Sequence, residues 1–298
     1  MSRATIYAAI FLTLISSAAR AQTTAIRAAG MLDVRHGVIL RNVAVVIRGG
    51  RIVDVGASIP DSANILDLGD VTLLPGLIDL HTHLSLGSIP DWTQADRALA
   101  SANRARQTLL AGFTTIRDLG ANSPGPPTDV ALARAIERGW VDGPRVIPSG
   151  RPIGIPGGHC DPARRFVGLG WRTGPQEGVA SGVDEVLRAV RYQVEAGAQV
   201  IKVCATAGGI EPTPDGHDQQ MSEEEIRAAV NAAAMRGLSV AAHAHGPAGV
   251  LAAVRAGVHS IEHGSVLSDD VIQLMKQRGI ALVPTINIPD AVAREPDL

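Results

Sequence analysis

The distribution of apolar residues along the chain changes character near residue 75. Between residues 25 and 74, short β-branched runs alternate with turn residues, and the pair Gly49 and Gly50 separates two such runs as a two-residue hairpin loop would. After residue 75 the apolar runs are continuous, and an amphipathic segment follows each of them, which is typical of parallel strands covered on both faces by helices. The pattern predicts a small antiparallel, β-sandwich-like module over residues 22–74 and a larger α/β domain over residues 75–298.

The larger domain is predicted to contain strands and helices in strict alternation. We expect strands at residues 77–83, 113–119, 145–149, 200–205, 239–245, 260–263 and 281–286. We expect helices at residues 94–110, 129–138, 183–196, 222–236, 247–256 and 268–277. Ser222 and Glu225 have the spacing of a capping box at the start of the fourth helix. The alternation predicts a TIM-type (β/α)₈ barrel that has strands 1–7 and lacks strand 8.

The Gly- and Pro-rich segment 152–182 shows no periodicity and follows the third predicted strand. In a barrel, this segment would overhang the face that carries the chemistry, and long loops of this kind are commonly lids or binding loops.

The first 21 residues have the composition of a secretory signal. Arg3 precedes an apolar run over residues 6–15, and small residues lead to Ala21, after which we expect cleavage. A buried N-terminal helix is the alternative. Export would place the protein in the periplasm or outside the cell, where Cys160 and Cys204 could form one disulfide, although two buried free thiols are the favoured interpretation.

Charge and composition exclude two classes of partner. The formal net charge is −2, and the chain has neither a basic run nor basic residues interleaved with aromatic ones, so nucleic-acid binding is not expected. The apolar run at the N-terminus is too short to span a bilayer, and no segment of spanning length follows it. The charge gives no further information about partners.

Side chains that can bind metal ions lie at or near the C-terminal ends of four predicted strands. They are His81 and His83 on the first strand, Lys202 on the fourth, His243 and His245 on the fifth, and His263 on the sixth. Strand side chains alternate between faces, so the two histidines of each H-x-H pair project to the same side. Barrel enzymes keep their catalytic groups at this end of the strands, and imidazole nitrogens suit zinc, nickel, iron or manganese.

Structural roles remain open for each of these residues. An H-x-H pair can lie in a loop without a ligand, and Lys202 could extend from the barrel end to solvent or pair with Asp118 or Glu262.

The sequence also resembles the amidohydrolase superfamily. The matching stretches are LLPGLIDLHTHL, GFTTIRDLGA, GGHCDP, QVIKVCATAGG, SVAAHAHG and GVHSIEHGS, spread from about residue 70 to residue 265. Within the superfamily they resemble the imidazolonepropionase-like and Xaa-Pro-dipeptidase-like branch, which has a binuclear metal site.

The resemblance implies a role for each candidate residue. His81 and His83 would bind the first of two divalent metal ions, with zinc expected, and Lys202, carboxylated by CO₂, would bridge the two ions. His263 would bind the second ion together with a histidine of the fifth strand. The resemblance favours His243 there and assigns His245 to the substrate or to catalysis, but the two residues share a face and spacing does not choose between them. His159 resembles a position near the substrate; a solvated loop histidine is its alternative.

The implied reaction is hydrolysis of an amide or peptide C–N bond, in a dipeptide or an N-acyl amino acid, by a hydroxide that bridges the metal ions. In the family, the proton shuttle is an aspartate that ends the eighth strand. Asp290 and Asp297 lie in a Pro-containing tail instead, so we expect a C-terminally truncated barrel, which a homo-oligomer or a complementing fragment could complete.

Two other functions stay open from the sequence. One is a mononuclear deaminase or an imidazolonepropionase-type hydrolase of cyclic amides. The other is an inactive fragment or a ligand-binding pseudoenzyme.

Overall fold

The computed structural model describes residues 22–85, 92–120, 125–164, 172–208 and 217–286. The predicted signal segment and the tail that carries Asp290 and Asp297 lie outside the described residues. The chain divides into two units, Met1–Pro75 and Gly76–Leu298.

The first unit contains one five-stranded sheet. Its strands are β1 (Thr23–Asp33), β2 (Val38–Arg48), β3 (Arg51–Gly56), β4 (Asn64–Asp67) and β5 (Thr72–Leu73). The predicted hairpin is confirmed, because Gly49 and Gly50 connect β2 to β3 with φ angles of 59° and 72°. These positive φ values suit glycine.

The prediction of an antiparallel, sandwich-like module is wrong in its topology. β2 pairs with β1 in antiparallel fashion, but β4 and β5 both pair with β1 in parallel, and the strands form one mixed sheet. The physical reason is the length of β1, which is 11 residues. One edge of β1 pairs with β2, and its other edge is long enough to accept β4 and β5 in succession.

The described strands of the second unit all pair in parallel. They are β6 (Leu77–Thr82), β7 (Phe113–Asp118), β8 (Arg145–Pro148), β9 (Ile201–Cys204), β10 (Val240–Ala244), β11 (Ser260–His263) and β12 (Ala281–Val283). They pair in the orders β6-β7-β8 and β9-β10-β11-β12, and a parallel bridge between Ile153 and Val203 connects β9 to the segment that follows β8. Within the described residues these strands do not close into a barrel.

Helices alternate with the strands of this unit, which confirms the predicted α/β architecture. They are α1 (Gln94–Leu110), α2 (Thr128–Glu137), α3 (Val183–Ala196), α4 (Glu223–Ala234), α5 (Pro247–Ala256) and α6 (Asp269–Arg278). The predicted capping box is present, since Ser222 Oγ accepts from the Glu225 amide at 3.2 Å and the Glu225 carboxylate accepts from the Ser222 amide at 2.8 Å. None of the described helices combines the length and the apolar composition needed to cross a membrane.

The main core lies between the helices α3 to α5 and the strands β9 to β11. Val190 of α3, Ile226 of α4 and Ile261 of β11 are almost completely buried in it, among many alanines and valines. Burial of one such branched side chain stabilises the fold by about 1.5–3 kcal/mol. The small alanines let helices approach the sheet closely, so the strand ends that carry the candidate residues rest on a tightly packed support.

Cys160 and Cys204 form a disulfide, so the favoured interpretation of two free thiols is wrong. The Cys204 amide donates to the Ile153 carbonyl at 2.8 Å, which holds the segment after β8 alongside β9. The Cα atoms of the two cysteines are therefore 6.1 Å apart, within the range that a disulfide spans. The bond attaches the loop that carries His159 to the end of the strand that carries Lys202.

Candidate metal centre

Five histidines at the strand ends form a continuous cluster of rings. The ring centroids are 5.1 Å apart for His81 and His83, and 4.7 Å apart for His81 and His263. His243 lies 4.7 Å from both His245 and His263, and the rings of His245 and His263 stack 4.6 Å apart. The structure thus brings together the five candidate histidines of the first, fifth and sixth strands of this unit.

His159 also reaches this cluster. Its ring stacks on that of His243 with the centroids 4.1 Å apart, and its amide donates to Gln220 Oε1 at 2.8 Å. The ring is half-buried. The alternative of a solvated loop histidine therefore does not describe it.

Lys202 lies in β9 and is only 2% exposed. Burial lowers the pKa of its ammonium group to about 8, although the nearby charge of Glu262 acts in the opposite direction. In the described part of the chain, no ion pair joins Lys202 to Asp118 or Glu262. The ion pair that the sequence left open for this residue is not formed, and near neutral pH the neutral amine is more populated than in a solvent-exposed lysine.

The first pair of histidines presents two unprotonated nitrogens to each other. His81 Nδ1 lies 2.8 Å from Glu262 Oε2, and His83 Nδ1 lies 2.6 Å from the Gly120 carbonyl oxygen. A carboxylate and a carbonyl can only accept, so both rings carry their proton on Nδ1. The two Nε2 atoms are 3.2 Å apart. Facing lone pairs repel, and one cation bound to both removes that repulsion; with Zn–N bonds of about 2.0–2.1 Å, nitrogens at this separation can share an ion.

The backbone that holds His83 is itself tightly fixed. Asp118 accepts from the Gly120 amide and from the Leu84 amide, each at 2.9 Å. Gly120 has a φ of 78°, and a Cβ at this position would collide with the carbonyl of Gly150. Only glycine therefore places this carbonyl against the His83 ring.

The second group of candidate ligands is His243, His245 and His263. One ring nitrogen from each lies within 4.8 Å of the others, which is close enough to surround one ion. His243 is buried, and its Nε2 lies 3.1 Å from the Ala207 carbonyl oxygen. The proton is therefore on Nε2, and Nδ1 has the lone pair that can bind a metal ion. His245 is less buried than His243, but both belong to the cluster, and the choice between them as a ligand stays open.

The other two rings of this group are held by hydroxyl groups. His245 Nδ1 lies 2.7 Å from Ser265 Oγ, and His263 Nδ1 lies 2.7 Å from Thr285 Oγ1. His263 and Thr285 have φ angles of 71° and 46°, in the left-handed region that residues with a Cβ rarely adopt. Such strained backbone is concentrated at functional sites, where the surrounding structure imposes it.

Burial keeps all five imidazoles neutral near pH 7, which a metal ligand requires. It lowers the pKa of His81 and of His263 to about 2 and that of His245 to about 4, and the charges of neighbouring groups add to the effect. It also lowers the pKa of His83 and of the buried His243 well below the ordinary value.

These shifts predict that the metal-free protein loses stability as the pH falls below about 6.5. The unfolded histidines take up protons there while the folded ones stay neutral, so acid favours the unfolded state. Each such histidine contributes up to about 1.4 kcal/mol per pH unit. The buried Asp118 and Asp129 act in the opposite sense, because burial raises the pKa of both, but they are fewer than the five histidines.

Urea unfolding in the presence of a chelator, from pH 7.5 to pH 5, measures this dependence. In the variant His243→Asn, the free energy of unfolding should fall less over this range, because one histidine fewer takes up a proton on unfolding. A free energy of unfolding that stays constant over this range would contradict the prediction.

The sequence identified the ring cluster but not the groups that hold the rings. A supporting role for Glu262 could have been predicted, because it shares a strand face with Ser260 and a buried carboxylate needs hydrogen-bond donors. Thr285 gives no comparable signal, since its role depends on an unusual backbone conformation.

Comparison with known proteins supports this description. The family model described as Amidohydrolase family matches residues 72–295. The ochratoxinase of Aspergillus niger is 34% identical, over 92% of this chain and 61% of its own length, so the chain spans about three fifths of that relative.

Two solved structures are similar to this chain over most of its length. A Xaa-Pro dipeptidase with bound methionine in its active site has a TM-score of 0.85 and 33% identity, over 93% of this chain and 70% of its own. The A. niger ochratoxinase structure has a TM-score of 0.79 and 33% identity, over 93% of this chain and 68% of its own.

Proposed function

The chain belongs to the amidohydrolase family, and from this premise we propose that it acts as a metal-dependent hydrolase of carbon–nitrogen bonds. The observation that carries the proposal is the cluster of five neutral histidines around the buried Lys202. The facing Nε2 atoms of His81 and His83 support a bound cation most directly, because without one their lone pairs repel.

We assign the metal ligands as follows. His81 and His83 would hold one divalent ion, and His243 and His263 would hold the second, with zinc as the expected metal. Lys202, as a carbamate, would supply an anionic ligand to the ions. The lowered pKa of Lys202 supports this assignment, because the neutral amine forms the bond to CO₂ and releases a proton, and the product is an anion that can bind cations.

Bound divalent ions would polarise the scissile carbonyl and lower the pKa of a water molecule to about 7. In each of the five histidines, one ring nitrogen contacts a protein group, and this contact fixes the orientation of the ring. The second ring nitrogen is then available to bind a metal ion or to exchange a proton. We assign His245 to proton exchange with the leaving amine at Nε2, since Ser265 holds its Nδ1 and its ring is less buried than that of His243. His159, stacked on His243, would contact the substrate.

We infer a dipeptide or an N-acyl amino acid as the substrate. The Xaa-Pro dipeptidase among the structural relatives supports this class.

The test measures metal content and turnover of the same purified protein. Elemental analysis should give two zinc-type ions per chain, and Xaa-Pro dipeptides or N-acyl amino acids should be hydrolysed. Chelation should abolish the turnover and Zn²⁺ should restore it. One ion per chain together with release of ammonia would favour the mononuclear deaminase, and ligand binding without turnover would favour a binding protein. A protein that takes up no divalent metal would reject the proposal.

A further inference from the structure

Glu262 connects two strands that are not neighbours in either sheet. It lies in β11 and is completely buried, and its Oε2 lies 2.8 Å from Nδ1 of His81, which is in β6. This contact therefore joins a strand of one sheet to a strand of the other. The two residues are 181 positions apart in the sequence.

The charge of Glu262 is compensated from the side that faces away from His81. Arg117 Nη2 donates to Oε1 at 2.7 Å, and Ser260 Oγ donates to the same oxygen at 2.5 Å. A buried carboxylate without such partners would be strongly destabilising. Because the two donors occupy Oε1, Oε2 is left for the imidazole.

Arg117 also holds the backbone beside His81. Its Nε donates to the carbonyl oxygen of Leu80 at 2.6 Å, and its Nη1 donates to Ser260 Oγ at 3.0 Å. One guanidinium therefore fixes both the main chain that precedes His81 and the carboxylate that contacts its ring.

We propose that Glu262 is a positioning residue for His81: supported by Arg117 and Ser260, it keeps the imidazole proton on Nδ1 and directs the Nε2 lone pair toward the metal ion. This inference rests on the proposed function, because it gives the contact a purpose only if His81 is a ligand. Hydrogen-bond partners of this kind orient ligand rings, and their loss costs about 10- to 100-fold in metal affinity.

The substitution Glu262→Gln tests the proposal with little change in shape. The amide oxygen is expected to face Arg117, which only donates, so the amide NH₂ faces His81 Nδ1. A donor at this position moves the imidazole proton to Nε2 and blocks the ligand atom. We expect the dissociation constant for Zn²⁺, measured by competition with a chromogenic chelator, to rise about 10- to 100-fold.

The matched control is Glu223→Gln. Glu223 also pairs with an arginine, Arg227, but on the surface of α4 and without an imidazole. The Zn²⁺ affinity of the Glu223→Gln variant should equal that of the unsubstituted protein. An unchanged affinity in Glu262→Gln would overturn the proposal.

A second measurement tests the contact in the unsubstituted protein as well as in the variant. Nitrogen-15 NMR of the metal-free, unsubstituted protein should show His81 protonated on Nδ1, and in folded Glu262→Gln it should show the proton on Nε2. A purely structural role would lower the melting temperature and leave the tautomer unchanged, which would overturn the proposal, as would an Nε2 proton in the unsubstituted protein. Absence of Zn²⁺ binding by the unsubstituted protein would instead reject the proposed function, and the NMR result would still decide the contact.

Discussion

Replacing Lys202 by alanine is expected to lower kcat by about a thousandfold or more and to reduce the bound metal from two ions per chain to at most one. The reason is that alanine cannot form the carbamate, so the second ion loses an anionic ligand and the two ions lose their connection. Alanine fits into the buried position of Lys202, so the fold should stay intact, although the smaller side chain leaves a cavity. Elemental analysis and steady-state kinetics on the same preparation measure both effects.

Lys276 provides a matched control, because Lys202 and Lys276 are the only lysines in the sequence. Lys276 is exposed in the last turn of α6. The variant Lys276→Ala should keep two ions and normal turnover. Full activity of Lys202→Ala would contradict the binuclear assignment and favour a mononuclear site, which does not need a bridging ligand.

The second large effect is expected for His263→Ala. The variant removes one ligand of the second ion and also the ring that contacts both His81 and His243. We expect it to retain one ion and to lose about a thousandfold or more in kcat, since one ion cannot both activate the water molecule and stabilise the developing charge as well as two. Stability should fall, because alanine keeps the Cβ in the strained left-handed backbone and loses the ring contacts and the hydrogen bond to Thr285.

His259 is the control for this variant, because it belongs to the same GVHSIEHG stretch and lies outside the ring cluster. It is exposed, and its Nδ1 accepts from the Val240 amide at 3.1 Å. His259→Ala should therefore cost some stability but neither metal nor turnover. Loss of one ion in His259→Ala, or two ions and normal turnover in His263→Ala, would contradict the assignment.

The strands and helices of the second unit could be predicted from the sequence because their signals are local. Apolar periodicity and capping residues give α1 and α3 with the bounds that the structure shows. The mixed sheet of the first unit could not be predicted in the same way. Which edge of β1 accepts β4 depends on strand length and on the return path of the chain, and neither is encoded by hydrophobic alternation.

The same distinction applies to the candidate site. The H-x-H spacing of His81 and His83 predicts that both rings share a face, and the structure brings them together. Their supporting contacts join residues from strands far apart in sequence, as Glu262 does with His81, so no short motif shows the pairing. The disulfide was missed for a related reason, since its formation depends on the bridge between Ile153 and Val203.

Carbon-13 NMR of the zinc-loaded protein in ¹³C-labelled bicarbonate tests the proposed carbamate on Lys202 most directly. We predict one carbamate resonance that is present in the unsubstituted protein and in Lys276→Ala and absent from Lys202→Ala. A zinc-loaded protein without this resonance, or a resonance that persists in Lys202→Ala, would contradict the proposal.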